Sequence, residues 1–239
     1  MEEQKTNIDK LYFKAFKAID DPESCLKFID GHRHVLEIYG ITQISSAKVE
    51  WMYNPNVYVV LVTTEADGKA MGGSRVQQAD GITPLPIEEA VGYMDARIYD
   101  MVKERTPAGT GEMCGVWNSW EVAGLGIGSY FLSQVSLAVS SNIGLTSLFG
   151  LTAPATYRNA VRGGFRVIRE IGIDGKFYYP KEDLTATAVI TDELETLPTA
   201  LDEVREHVRS FRENPKQSFQ IPNKTNDGFI EIFIDITFK

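Results

Sequence analysis

The residues best able to do chemistry in this chain fall in one stretch, Cys114-Gly-Val-Trp-Asn-Ser-Trp-Glu-Val-Ala-Gly-Leu-Gly-Ile-Gly-Ser-Tyr-Phe-Leu132. It reads as a β-strand running into a glycine turn and then a helix. Gly124, Gly126 and Gly128 let the backbone turn tightly with its N–H groups outward, and the unpaired amides of the helix add partial positive charge. That is an anion site, and a phosphate-bearing cofactor is its natural occupant. Two carboxylates flank it, Glu112 at the start of the strand and Glu121 at its far end. Desolvation beside Trp117, Trp120 or Phe149 would raise either pKa toward neutrality and make a general base. As solvated strand-end acids they would have no such role, and the sequence does not choose between the two.

The turn ends Ile-Gly-Ser-Tyr, so no lysine is placed to reach a terminal phosphate as in a P-loop. A dinucleotide fingerprint would need Gly or Ala at Ser129 and an acid about 20 residues on, yet Leu137 to Phe149 holds none. The spacing is similar to the pyrophosphate loop of the acyl-CoA N-acyltransferases of the GNAT superfamily. The resemblance extends through the next elements of the chain: helix Ser129–Asn142, apolar strand Thr146–Ala153, short helix Ala155–Arg162, and the pair Gly164-Phe165 opening another strand. It covers about residues 57–192. Arg33 to Gly40, the Asn54-Pro-Asn-Val hairpin start and Gly72-Gly73-Ser74-Arg75 resemble the branch that makes acyl-homoserine lactones and N-acyl amino acids.

The resemblance implies an α/β fold with a mixed central sheet and flanking helices, and direct transfer of an acetyl or longer acyl group from acyl-CoA to an amine. An acyl carrier protein thioester is a second donor it allows. Asn118, Trp120, Val122, Gly124, Leu125, Gly126, Ile127, Gly128 and Ser129 would hold the cofactor, with Asn159 and Arg162 from the following helix. A strand-bulge amide at about Asn118–Glu121 would polarise the thioester carbonyl, Glu112 or Glu121 would take the amine proton, and Tyr157 would protonate the thiolate. Two positions depart from the family: Ala123 stands where Arg or Gln is usual, and Tyr157 lies eight residues before Phe165 rather than about five. The alternative function is a non-catalytic acyl-CoA-binding or assembly protein on the same fold.

Other candidates carry two readings. Arg75 is an anchor for an acceptor carboxylate or lactone oxygen, or a surface strand arginine. His32, Arg33 and His34 diverge around a helix and read as a solvated face. Arg158 and Arg162 share a helical face and either reach a cofactor phosphate or stay in water. Trp117, Trp120, Tyr130 and Phe149 read as core before substrate lining.

A net charge of −9 opposes a nucleic-acid or anionic-membrane partner, and the acceptor expected is a small amine or an amino-acid-like molecule. Two cysteines and three histidines show no disulfide scaffold or metal-ligand spacing. The polar start and the lack of a membrane-length apolar run suggest a cytoplasmic protein, and a homodimer stays open.

The elements expected to position these residues are amphipathic helices over 7–19 and 23–39, and a hairpin of Asn56–Thr64 with Ala70–Gln78. A helix over Ile87–Glu104 comes before the cofactor strand. A strand from Phe165 to about Ile173 turns at Asp174-Gly175, and Leu184–Thr191 is β-rich. Residues 1–194 would form the acyltransferase domain, and 195–239 a C-terminal helix and strand extension on that domain or on a partner. The extension reads as helix Pro198–Arg212, a polar passage Val208–Asp227, and strand Phe229–Phe238 with Ile230, Ile232, Ile234 and Ile236 on one side.

Overall fold

Alternating burial along β-branched and aromatic runs produces one ten-stranded sheet in the computed structural model, which describes residues 8–38, 40–41, 49–65, 68–123, 125, 128–224 and 227–238. The strands are β1 Lys10–Lys17, β2 Val57–Thr63, β3 Ala70–Gln78, β4 Thr110–Asn118, β5 Ser147–Thr152, β6 Arg166–Val167, β7 Lys176–Tyr178, β8 Thr185–Thr191, β9 Lys216–Pro222 and β10 Phe229–Asp235. Their order is β6-β8-β5-β4-β3-β2-β1-β10-β9, with β7 also on β8. Only β4 with β5 and β1 with β10 run parallel. No helix among the described residues is long and apolar enough to cross a membrane.

Helices α4 Gly128–Asn142 and α6 Asp202–Glu213 cover one face, with α5 Pro154–Arg162 beside α4. The other face carries α1 Pro22–Ile38 over β2, β3 and β4, and the short α2 Pro86–Val91 and α3 Arg97–Arg105 over β4, β5 and β8. The hairpin β2–β3 and the helix–strand–helix run α4–β5–α5 stand where the sequence places them.

Of residues 7–19, expected as a helix, residue 7 lies outside the described residues, Lys10–Lys17 form β1, and a 3-10 turn over Ala18–Asp20 follows. Leu11, Phe13 and Ala15 are buried while Lys10 and Lys14 are exposed, which is a period of two. The expected helix over Ile87–Glu104 is two helices. Gly92 lies against the Tyr99 side chain, where a Cβ would be 2.2 Å from its hydroxyl, and Asp95 accepts both the backbone and the side-chain N–H of Arg97. After Phe165 the strand lasts only for Arg166–Val167, since Ile168 and Ile171 turn into the α3 cluster; Asp174 (φ 52) and Gly175 (φ 82) then make the expected turn. The polar passage after α6 contains β9, whose outward Lys216, Ser218 and Gln220 hide its strand pattern. β10 is interior, between β1 and β9. Its Ile230, Ile232, Ile234 and the following Ile236 are each at most 2% exposed beneath the α4 and α6 layer.

Candidate active site

The parallel pair β4–β5 stays in register only at Thr110↔Ser147, Gly111↔Leu148 and Glu112↔Phe149, although β4 continues to Asn118 and β5 to Thr152. Beyond Glu112 and Phe149 the strands part, and their facing backbone groups are open to a third party. A bulge bends β4 away. Against β3 the pairing steps from Gly73↔Trp117 to Arg75↔Cys114, so β4 spends one residue more than β3, and Gly115 takes a φ of 57 that only glycine adopts without strain. The sequence reading put the bulge at Asn118–Glu121. There, instead, Asn118 pairs with Gly72, the Ser119 amide donates to the Met71 carbonyl at 2.8 Å, and Trp120–Val122 is a 3-10 turn. An isolated glycine inside a strand pattern was the available signal.

Past that turn, Gly124, Gly126 and Ile127 lie outside the described residues. Val122 and Leu125 are buried among the α4 core residues, while Ala123 is exposed. α4 begins at Gly128 with no acid of its own in its first turn, although Glu203 of α6 reaches that turn and accepts the Tyr130 hydroxyl at 3.2 Å. Tyr130, in the same turn, has the Arg162 guanidinium 5.4 Å from its ring centroid. Arg162 forms no ion pair among the described residues, and Arg158 is exposed. Trp120 is 43% exposed near the end of β4, Asn159 is half-buried on α5, and Tyr157 packs against the α4 core cluster.

The opposite face holds two separate apolar clusters, one around α1 and one around α2 and α3. Between them, β3 and β4 bring up Arg75, Gln77, Glu112 and Cys114, all buried. Arg75 is no surface residue: it is 1% exposed, and its guanidinium lies 4.4 Å from the Trp51 ring centroid. A Cβ on Gly115 would be 3.4 Å from Arg75 Nε, which puts the cation beside the bulge.

The carboxylates differ sharply. Glu112 is 2% exposed and accepts the Ile87 amide at 2.6 Å; burial pushes its pKa up to about 8, against the pull of that bond and of Arg75. For Glu121, burial raises the pKa but the hydrogen bond and charge of Lys69, at 2.6 Å, work against it, and the group is held below its ordinary value. Burial also pushes both thiols, Cys25 and Cys114, up to about 12, which leaves them without thiolate character.

His32 corrects another reading. Arg33 and His34 are exposed, but His32 is buried, and burial followed by the charge of Arg75 lowers its pKa to about 4. The cause is α1's seat on the sheet: a Cβ on Gly31 would lie 2.1 Å from the Trp117 ring, so glycine there lets the helix descend. Phe28 fills the junction, its ring centroid 5.8 Å from His32, 5.6 Å from Trp51 and 6.0 Å from Trp117. A glycine in mid-helix beside a histidine was the trace of this in the sequence. Trp117 and Phe149 are core, as expected, whereas Trp120, also expected there, is exposed on the 3-10 turn after β4 and Tyr130 is half-buried.

No protein-family model matches the chain, and no curated protein matches it by sequence. Among solved structures, the N-acyl amino acid synthase FeeM from uncultured soil microbes is similar with a TM-score of 0.58 at 13% identity, over 80% of this chain and 95% of its own. The chain has the acyl-CoA N-acyltransferase fold. The CoA-dependent acyl-homoserine lactone synthase BjaI, solved with SAM and isopentyl-CoA, gives 0.53 at 11% identity over 83% and 90%. Escherichia coli ElaA gives 0.53 at 8% over 75% and 98%.

Proposed function

We propose that the protein moves an acyl group from CoA to a small amine by direct attack. The observation that carries this reading is the parting of β4 and β5 at Glu112 and Phe149, with the Gly115–Val116 bulge just beyond. A thioester lying in the gap would have its carbonyl polarised by bulge amides, while its pyrophosphate takes the start of α4 and the glycine turn, with Arg162 at hand. The amine approaches from the face of α1 and α2. Its nitrogen forms the new C–N bond, the C–S bond breaks, and CoA leaves as thiolate, protonated by water or by Tyr157.

The ammonium proton passes to Glu112, directly or through one water. Of the two carboxylates it is the one beside the gap, with a pKa suited to the exchange; Glu121 is engaged by Lys69. An amino-acid-like acceptor suits Arg75, whose fork binds a carboxylate in two-point fashion. That matches what FeeM is named for.

Calorimetry with CoA, together with thiol release from acetyl-CoA and longer acyl-CoA over a panel of amines and amino acids, tests the proposal. Binding with turnover on at least one acceptor is expected. Gly115→Val, which removes the left-handed residue of the bulge, should abolish turnover while CoA still binds. The exposed Ala123, in place of a phosphate-binding side chain, favours a second reading as an acyl-CoA-binding protein without catalysis, and binding with no turnover on any acceptor would select it.

A further inference from the structure

On the face that carries α1, α2 and α3, Phe16 at the end of β1 packs in the α1 cluster, but neither apolar cluster of that face includes a described residue of β9, β10 or the Lys10–Lys14 part of β1, which leaves a strip outside both. This bare strip is not uniformly polar. Tyr12 and Phe233 stack at its middle, ring centroids 4.6 Å apart and 8° from parallel, and Phe229 on the same face is 61% exposed. The parallel register sets Lys10 beside Glu231, Tyr12 beside Phe233 and Lys14 beside Asp235. Side chains alternate across a strand, so these six share the open face. A concavity of about 450 Å³ lies alongside, lined in part by Lys14, Lys216 and Asp235.

We infer that this strip docks a second copy of the chain, face to face. An isologous contact must be self-complementary, and this strip is. Take a two-fold axis in the interface, parallel to the strands and midway between β1 and β10. It sets β1 over the partner's β10, so Lys10 and Lys14 meet Glu231 and Asp235 of the partner subunit, and Tyr12 meets Phe233 of the partner subunit. The same contacts recur by symmetry on the other side of the axis. An aromatic centre with opposite charges around it is the usual anatomy of such a patch. The present ion pairs there, Lys14 with Asp21 at 3.1 Å and Lys216 with Asp235 at 3.2 Å, are water-exposed and rearrange at little cost. Pairing along the open edge of β9 is a poorer geometry, because Lys216 and Pro222 stand at its two ends and blunt it.

Sedimentation of the full chain over a concentration series tests the inference. A dimer is expected, weakening as salt rises. Lys10→Glu with Lys14→Glu puts acids on both strands, and Glu231→Lys with Asp235→Lys puts lysines on both. Each variant should weaken self-association at least about tenfold, and an equimolar mixture of the two should form a heterodimer. Thermal melts check that both variants fold; should one not, Phe229→Lys, at an exposed side chain, should weaken the dimer in its place. A wild-type monomer at every concentration overturns the inference. So does a dimer indifferent to both charge reversals, and its loss in Ser218→Pro would move the contact to the β9 edge.

Discussion

Beneath α4 and α6 the sheet presents one continuous apolar cluster, from Leu11 through Leu132 and Leu148 to Ile236, whereas the opposite face is broken into two clusters with Arg75, Gln77, Glu112 and Cys114 between them. Burying an arginine and a carboxylate costs free energy that an apolar pair would not, even where they offset each other's charge. A sheet built for stability alone would repeat the first face on the second. On the proposed function, the α4 and α6 layer holds the fold, while the divided face is given over to the chemistry at some expense of stability. The layer includes β10, so it can be broken from the tail. Removing everything from Phe229 onward deletes the strand between β1 and β9 and four buried isoleucines, each contributing roughly 1.5–3 kcal/mol. That is comparable with the whole stability of a domain, about 5–15 kcal/mol. Insoluble or unfolded protein by circular dichroism is the expected outcome, and a soluble truncation with an unchanged melting temperature would refute the division of labour.

Point substitutions separate the faces more finely. Glu112→Gln should lower turnover on the order of 10²-fold while acyl-CoA affinity and the melting temperature near neutrality hold, because the amide keeps the shape and can still accept the Ile87 N–H. Ile232→Ala should do the reverse, losing about 2–5 kcal/mol of stability in denaturant titration with turnover per folded molecule unchanged. If Glu121→Gln carried the larger loss of turnover, the base would move to the end of β4.

The pH dependence should belong to the divided face as well. Glu112 has a folded pKa of about 8 against an ordinary 4.5, so the fold favours its protonated form, and the stability it lends is lost as pH rises from 4.5 through about 8. His32 has a folded pKa of about 4 against 6.5, so the fold favours neutral imidazole, and its contribution is lost as pH falls from 6.5 through about 4. If Glu112 is the base, turnover needs it deprotonated and should climb toward pH 8 while stability declines. Melting curves from pH 4 to 9 check this: Glu112→Gln should flatten the alkaline decline and His32→Asn the acid one. Melting curves unaltered by both changes would remove these groups from the account.

Legibility in the sequence divides along the same line. The α4–β5–α5 order, the β2–β3 hairpin and the isoleucine face of β10 show in local pattern because each element answers to a single period. β1 hides its strand pattern because Leu11, Phe13 and Ala15 alternate within a short segment that also fits a helical period. β9 hides its own because half its residues face water. The site was legible as residue types more than as geometry. Glu112 and Arg75 stand out as strand charges, but that Arg75 is buried depends on Trp51, a residue 24 positions away brought over it by the fold. The bulge needed the pairing of β3 with β4 to be located, although Gly115 marked it.

The smallest effect expected is at the edge of the proposed cofactor site. Arg162 is half-buried on the last turn of α5, with its guanidinium over the Tyr130 ring in the first turn of α4. Arg158, one turn earlier on the same helix, is exposed. If Arg162 replaces the phosphate contact missing at Ala123, Arg162→Ala should weaken CoA binding by a few-fold to about tenfold, the scale of one partly screened charge-assisted contact. The loss should shrink as salt rises, and pantetheine, which lacks the pyrophosphate, should bind both proteins alike. Arg158→Ala should change nothing measurable. Calorimetry decides between the two residues: equal losses would make the effect a general field of the helix, and no loss in either would leave the phosphates to backbone amides alone. In both α5 variants turnover at saturating acyl-CoA should equal that of wild type, since neither residue stands on the divided face where the proposed reaction would take place.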